Sequence, residues 1–456
     1  MPTPSLAWRP YESSLVVLRV GDPSGLNVLN TPPGTALSVH FDYLDASGAV
    51  WLTRALPTNT SDPSSVPCTL SHAQGELGAS STLYWLETEG LPSLPLSQDR
   101  VMVPCHASPA GARIGALLAD EKAIGILSRN GFAASTVRFA GYTGMRGTSS
   151  GLRQVASPDA QEFWVGGIAN SVYGLRYLSS QTDSSAQRVH GSVFYPESPL
   201  RYQAGSLDLR GVGMYGSQVF MTSSYAAEPN RNMDRAPYTP WGGVIRVGDY
   251  NLLARNSTSV ASLLRGFDGR RSFWTFIFEA SRSMWLIEDV GAYTRAAAAA
   301  AEASDARMHA LAPGSVDLAG PASTRPTLYR SRVGSAIVNW GWSHAAVAWA
   351  EVPATKTYLP EGEAAYSLAG RLEASGGGPT WTVYTTTRAR LYRVRPASRS
   401  YEVLAAAPAG TIYRGVTLPP YPPMRGTPTP STPSHTSTST PMPTRSRTHK
   451  GKPRGG

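Results

Sequence analysis

Acids, histidines and thiols are the residues here whose types and spacing could do chemistry. Glu288-Asp289 is an adjacent acidic pair that ends an apolar run, and a carboxylate pair can act as general acid and base or hold calcium. Successive residues of a strand point to opposite faces, so the two cannot form one dyad without a bulge, and a turn-capping role is expected. The eight histidines, His40, His72, His106, His190, His309, His344, His435 and His449, never fall into His-x-His or His-x-x-x-His spacing. The two cysteines, Cys68 and Cys105, each follow Val-Pro. Two thiols are too few for a structural zinc site and do not form Cys-x-x-Cys, so they either share a disulfide or stand as two buried thiols. No metal site, cofactor or catalytic residue is therefore expected, and the chain reads as a non-enzyme.

Other residues point to recognition. Asn59-Thr60-Ser61 and Asn256-Ser257-Thr258 are acceptor sequons in predicted loops, so Asn59 and Asn256 are candidate glycosylation sites if the chain is exported by a eukaryote. Most tryptophans fall in apolar strands and read as core. Trp340 and Trp342, in Trp340-Gly-Trp342, are candidates for a rim that stacks sugar rings. Asp159 and Asp249 stand where β-turns begin, and their carboxylates are expected to bond turn amides.

The elements that must carry these residues are strands. Gly 44 and Pro 37 favour tight turns between short strands, and 41% hydrophobic residues suffice for a core. Leu15-Val-Val-Leu-Arg-Val20 is a β-branched run closed by Gly21-Asp22 and predicts a buried strand. Segments 36–44 and 49–56, joined by Asp45-Ala-Ser-Gly48, predict a hairpin, as do 123–127 and 135–140 around Asn130-Gly131. Similar groups of short strands recur at 151–178, 207–247, 273–331 and 381–416. A unit of about 40–50 residues cannot bury both faces of its own sheet, so neighbours must stack around an axis. The expectation is an all-β fold, a six- or seven-bladed β-propeller over 12–420. Ala296–Ala312, with six consecutive alanines, predicts a helical or loose insertion.

Residues 421–456 are Pro, Thr and Ser-rich with nothing apolar to pack, and predict a disordered, basic, low-complexity tail of the composition of glycosylated stalks. Six Arg or Lys and no acid fall within 425–456, so most of the net charge of +10 belongs to the tail. The body scatters its arginines singly, which argues against nucleic acid as partner. No apolar run reaches the length of a membrane span, and no membrane insertion is expected. The first ten residues lack a basic-then-apolar export pattern, so export implies a fragment or a misassigned start.

Leu15-Val-Val-Leu-Arg-Val-Gly-Asp22, Ser150-Gly-Leu-Arg153 with Glu162-Phe-Trp-Val-Gly166, and Ile412-Tyr-Arg-Gly-Val-Thr-Leu-Pro419 follow one another in the order seen in an uncharacterised family of exported propeller-like proteins of bacteria and green algae. The chain resembles that family over roughly residues 12–420. The tail is similar to the hydroxyproline-rich glycoproteins of algal walls. The resemblance implies a propeller and an extracellular or cell-surface, cell-wall setting. The expected function is a non-enzymatic glycoprotein of binding and scaffold type, with glycans or extracellular matrix proteins as partners. A propeller enzyme acting on extracellular polysaccharide and an intracellular interaction propeller are the alternatives.

Overall fold

The computed structural model describes residues 14–59, 66–72, 89–114, 122–128, 134–139, 152–167, 175–179, 209–223, 243–247, 260–265, 273–280, 283–290, 334–343, 348–352, 354–360, 363–375 and 378–420. All lie in the first of two units, Met1–Tyr421 and Pro422–Gly456. The predicted helical insertion at 296–312 and the tail at 421–456 fall outside the described residues, as does Asn256.

The first sheet holds β1 (Leu15–Val20), β2 (Leu37–Leu44), β3 (Val50–Ala55), β4 (Thr69–Leu70), β5 (Arg100–His106), β6 (Lys122–Ser128) and β7 (Ala134–Phe139). The second is β8 (Leu152–Ala156), β9 (Glu162–Gly167) and β10 (Leu175–Ser179), and the third is β11 (Leu209–Tyr215), β12 (Gln218–Ser223), β13 (Gly243–Val247) and β14 (Val260–Arg265). The fourth contains β15 (Phe273–Ala280), β16 (Ser283–Val290), β17 (Gly334–Ser343), β18 (Ala348–Glu351) and β19 (Thr357–Tyr358). The fifth is β20 (Ser367–Ser375), β21 (Gly378–Thr386), β22 (Arg390–Arg395) and β23 (Ser400–Ala406), and β24 (Ile412–Thr417) returns to the first sheet. Every strand pairing among them is antiparallel and mostly between sequence neighbours, the pattern of meandering sheets.

The return of β24 is what the sequence pattern missed. Segment 411–416 reads as a fourth strand of the last repeat, yet Val16 pairs with Thr417 and Val20 with Ile412, so the C-terminal strand joins the N-terminal one. β1, enclosed by β2 on one side and β24 on the other, is buried at all six positions, which accounts for its apolar run; its one charged residue, Arg19, is paired with Asp42 of β2.

The core is distributed between sheets. Met102, Ile124 and Ile126 of the first sheet pack on Leu152, Val155 and Phe163 of the second. Phe220 and Val244 of the third pack on Phe276, Leu286 and Val338 of the fourth. Trp274, Trp285 and Ile337 of the fourth meet Val383, Tyr392 and Val394 of the fifth. Ala369, Tyr384 and Leu391 of the fifth then meet Leu15, Val17 and Val416 of the first. β8 lies against β11, β11 against β15, β15 against β20 and β20 against β24. Sheets that pack in succession until the last covers the first form a β-propeller, closed by a strand from each chain end.

Two glycines show how tightly the ring closes. Gly48 ends the β2–β3 turn at φ +87°, and a Cβ there would lie 2.1 Å from the Leu404 carbonyl of β23. Gly415 of β24 would place its Cβ 2.2 Å from Pro92 Cδ. Pro92 belongs to a segment that runs beside β8. Gly90 N and Leu91 N donate to Leu152 O and Arg153 O, and Leu96 N donates to Ser157 O.

Candidate functional site

Cys68 and Cys105 are brought together by β4 and β5, where Thr69 pairs with His106. Their sulfurs are bonded, with Cα atoms 5.3 Å apart, and neither residue is more than 1% exposed. Gly125 of β6 leaves room for them, since a Cβ there would lie 2.7 Å from Cys68 Sγ. The disulfide therefore sits inside the core of the first sheet.

The residue after Cys105 points to the other face of β5, into a buried charged cluster. His106 Nε2 lies 2.5 Å from Glu89 Oε2, and Lys122, directly opposite His106 in the register, places Nζ 2.9 Å from His106 Nδ1. An ammonium only donates, so Nδ1 accepts from it and the imidazole proton sits on Nε2, donated to Glu89. Arg414 of β24 donates through Nη2 to Ser71 O. Burial pushes the Glu89 carboxyl up, but His106, Lys122 and Arg414 together hold it below its ordinary value. All four side chains belong to residues no more than 2% exposed. This buried Lys–His–Glu chain can hold a proton in place. Its effect is to pin the Glu89–Pro92 segment, β5, β6 and the closing strand to one another.

A second charged network lies at the junction of the fifth and first sheets. Tyr384 OH and Arg371 both donate to Glu373, and the Arg371 and Arg393 guanidinium carbons stand 5.1 and 5.9 Å from the centre of the Tyr384 ring. Arg393 also bonds Glu402, and it donates to Ala46 O while Arg371 donates to Ser14 O. Burial raises the Glu373 carboxyl, and hydrogen bonds from Tyr384, Arg371 and Thr382 more than reverse that. Burial and the adjacent carboxylate push the Tyr384 phenol up, so it is not poised as a nucleophile.

The residues expected from sequence fare unevenly. Glu288 is buried and accepts from Lys356 Nζ at 2.7 Å, and it pairs with Ala336 in the register of β16, where Asp289 pairs with Ser335. Asp159 Oδ1 accepts from the amides of Gln161 and Glu162, as a turn-capping acid does. Trp340 is 2% exposed and packs with Phe220, Phe276 and Leu286, which corrects its reading as a ligand rim: β17 is an interior strand of its sheet and turns that side chain into the core. Trp342 lies on β17 opposite Trp349. Asn59 stands exposed just after β3. Asp249, like Asn256, lies outside the described residues.

Sequence reasoning did not find Glu89, His106, Lys122 or Arg414. The one available signal was His106 following Cys105 directly. Among the described residues, no three metal-binding side chains come together, and no helix is long and apolar enough to cross a membrane. The acids on β5, β8, β11, β15, β20 and β24 are Glu279 and Glu373.

No protein-family model and no curated protein matches the chain. Among solved structures it is similar to a chain of a nidogen/laminin complex, at 10% identity and TM-score 0.38, over 89% of this chain and 97% of that one. It is similar to a GH74 xyloglucanase from Xanthomonas campestris, at 12% identity and TM-score 0.35, over 86% of this chain and 45% of that one. It is also similar to the N-terminal domain of Nup159, at 7% identity and TM-score 0.30, over 87% and 83%.

Proposed function

We propose that this chain is the binding and scaffold propeller of an exported protein, acting outside the cell or at its surface without catalysis, with glycans or matrix proteins as partners. The observation that carries the compartment is the Cys68–Cys105 bond, since the only two cysteines of the chain are joined. Disulfides that persist belong to oxidising compartments, and this one is placed in the core rather than at an exposed edge.

Two further features support the reading. The Glu89–His106–Lys122 cluster is sealed from solvent, and the Glu373–Tyr384 pair is tied up by flanking guanidiniums, so both charged networks serve ring closure. The eight-stranded first sheet contributes two blades in this reading, one of β24 with β1–β3 and one of β4–β7, for a ring of six. The basic tail then tethers the ring electrostatically to acidic polymer.

Intact mass of the protein from its native source, with and without reduction and deglycosylation, tests the proposal. A bridged pair and a mass that falls on deglycosylation support it. An unmodified mass with free thiols sinks the extracellular assignment and turns the search to intracellular protein partners.

A further inference from the structure

Glu279 is an exposed acid with no charged partner among the described residues. It closes β15 at a bulge: Phe278 pairs with Met284 and Ala280 with Ser283, so Glu279 is the extra residue between them. Bulges gather beside functional sites. The carboxylate lies on the sheet face of Ile277, two residues before it, which also carries Trp285 and Asn339. Glu279 Oε2 accepts from Ser283 Oγ at 3.0 Å, from Trp285 Nε1 at 3.0 Å and from Asn339 Nδ2 at 3.4 Å. Asn339 Nδ2 also donates to Ser283 Oγ at 3.1 Å, which ties the donors together. All three donors are neutral. Among the described residues no cation pairs with Glu279, and Oε1 carries no protein hydrogen bond. One oxygen is thus held by a built cradle, on a residue that is exposed.

The facing wall comes from the fifth sheet. Ile277, two residues before Glu279, meets Gly370 of β20, where a Cβ would lie 2.8 Å from Ile277 Cδ1 and 2.9 Å from Trp381 Cζ2. One pleat further, Leu372 pairs with Trp381 on the same face of that sheet. Leu372 is 62% exposed and Trp381 is partly exposed, although both lie on the face that elsewhere forms the core between the fourth and fifth sheets. That core opens at its end into an aromatic and aliphatic surface beside a preorganised carboxylate.

We infer that this end of the junction between the fourth and fifth sheets is a subsite for a neutral pyranose, with Glu279 accepting from ring hydroxyls and the Trp381–Leu372 surface carrying the C–H face of the sugar. A pyranose presents both chemistries at once, an apolar face and an edge of donors. An orienting acceptor on an otherwise apolar patch is how such pockets obtain specificity. The subsite rests on the proposed glycan-binding function and locates it away from Trp340.

The test is titration of the whole protein with cellohexaose, xylohexaose and mannohexaose, followed by calorimetry and tryptophan fluorescence, together with Glu279→Ala and Leu372→Ala variants. Both substitutions fall at exposed positions, and unchanged melting temperatures confirm that the ring is intact. Saturable binding in roughly the millimolar range or tighter is expected for at least one sugar. It should hold at about 0.5 M salt, and Glu279→Ala should weaken it about tenfold or more, as loss of a charge-assisted hydrogen bond does. Leu372→Ala should weaken it less. Sugar binding that both variants leave unchanged overturns the subsite while leaving the glycan-binding function standing. Failure of every sugar to bind overturns the ligand class, without touching the compartment read by intact mass. Capture of heptalysine that depends on Glu279 and vanishes in salt would mark a site for basic peptide instead, and also overturns the inference.

Discussion

Replacing both Cys68 and Cys105 by alanine should lower stability by an amount set by the loop they close. The two are 37 residues apart in sequence, and the loop includes the Glu89–Pro92 segment that reaches the closing strand. The chain-entropy relation for a loop of this length gives about 13 cal/mol/K, or about 4 kcal/mol at 25 °C, released when the cross-link is removed from the unfolded state. An unfolding entropy of about 2.1 cal/mol/K per residue over the first unit corresponds to about 0.9 kcal/mol per degree, so the melting temperature should fall by about 4–5 °C. The alanines also delete two buried sulfur atoms, which adds a packing loss of its own. Calorimetric scans of the native protein with and without dithiothreitol separate the two contributions, because reduction during unfolding removes only the cross-link. The variant should melt at or slightly below the reduced protein. A shift under about 1 °C in both comparisons would refute the reasoning and show that the unfolded chain gains little freedom when the link is cut.

Glu89→Gln should destabilise by about 3–5 kcal/mol, because it removes the buried carboxylate on which His106, Lys122 and Arg414 act; chemical denaturation at pH 7 reads it. The folded-state pKa of Glu89 is held below its unfolded value, so its stabilising contribution is present above about pH 4.5 and fades as pH falls through the lower folded value. Melting temperature between pH 7 and 3 should therefore drop more steeply in the native protein than in Glu89→Gln, and parallel curves would count against the cluster. Gly48→Ala places a Cβ 2.1 Å from the Leu404 carbonyl at a left-handed φ, and should cost about 2 kcal/mol or more, read by the same denaturation. Truncation after Tyr421 should leave the melting temperature of the ring within about 2 °C, whereas truncation after Gly410 removes β24, uncovers β1 and should abolish the cooperative transition.

Much of the strand content was legible in the sequence because it depends on neighbours a few residues apart. The largely apolar run of 15–20 marked a buried strand, and Asp45-Ala-Ser-Gly48 marked the turn of a hairpin that the fold forms. Asp159 read as a turn-capping acid because an Asx turn is completed within three residues. The two cysteines left a choice between a bridge and separate thiols that spacing could not make.

What the tertiary structure decided are the contacts that join distant parts of the chain. Ring closure pairs Val16 with Thr417, a contact whose only trace in the sequence is two apolar runs like many others. Trp340 and Trp381 sit in equally apolar strands, yet one is sealed between sheets and the other reaches the end of a junction, because exposure depends on where the neighbouring sheet stops. The Glu89–His106–Lys122 cluster draws on three segments, and the Glu279 cradle draws on Asn339 sixty residues away. Local propensity and side-chain periodicity fix the strands. Which faces meet is set only when the last sheet packs on the first, and that long-range burial is what composes the sites.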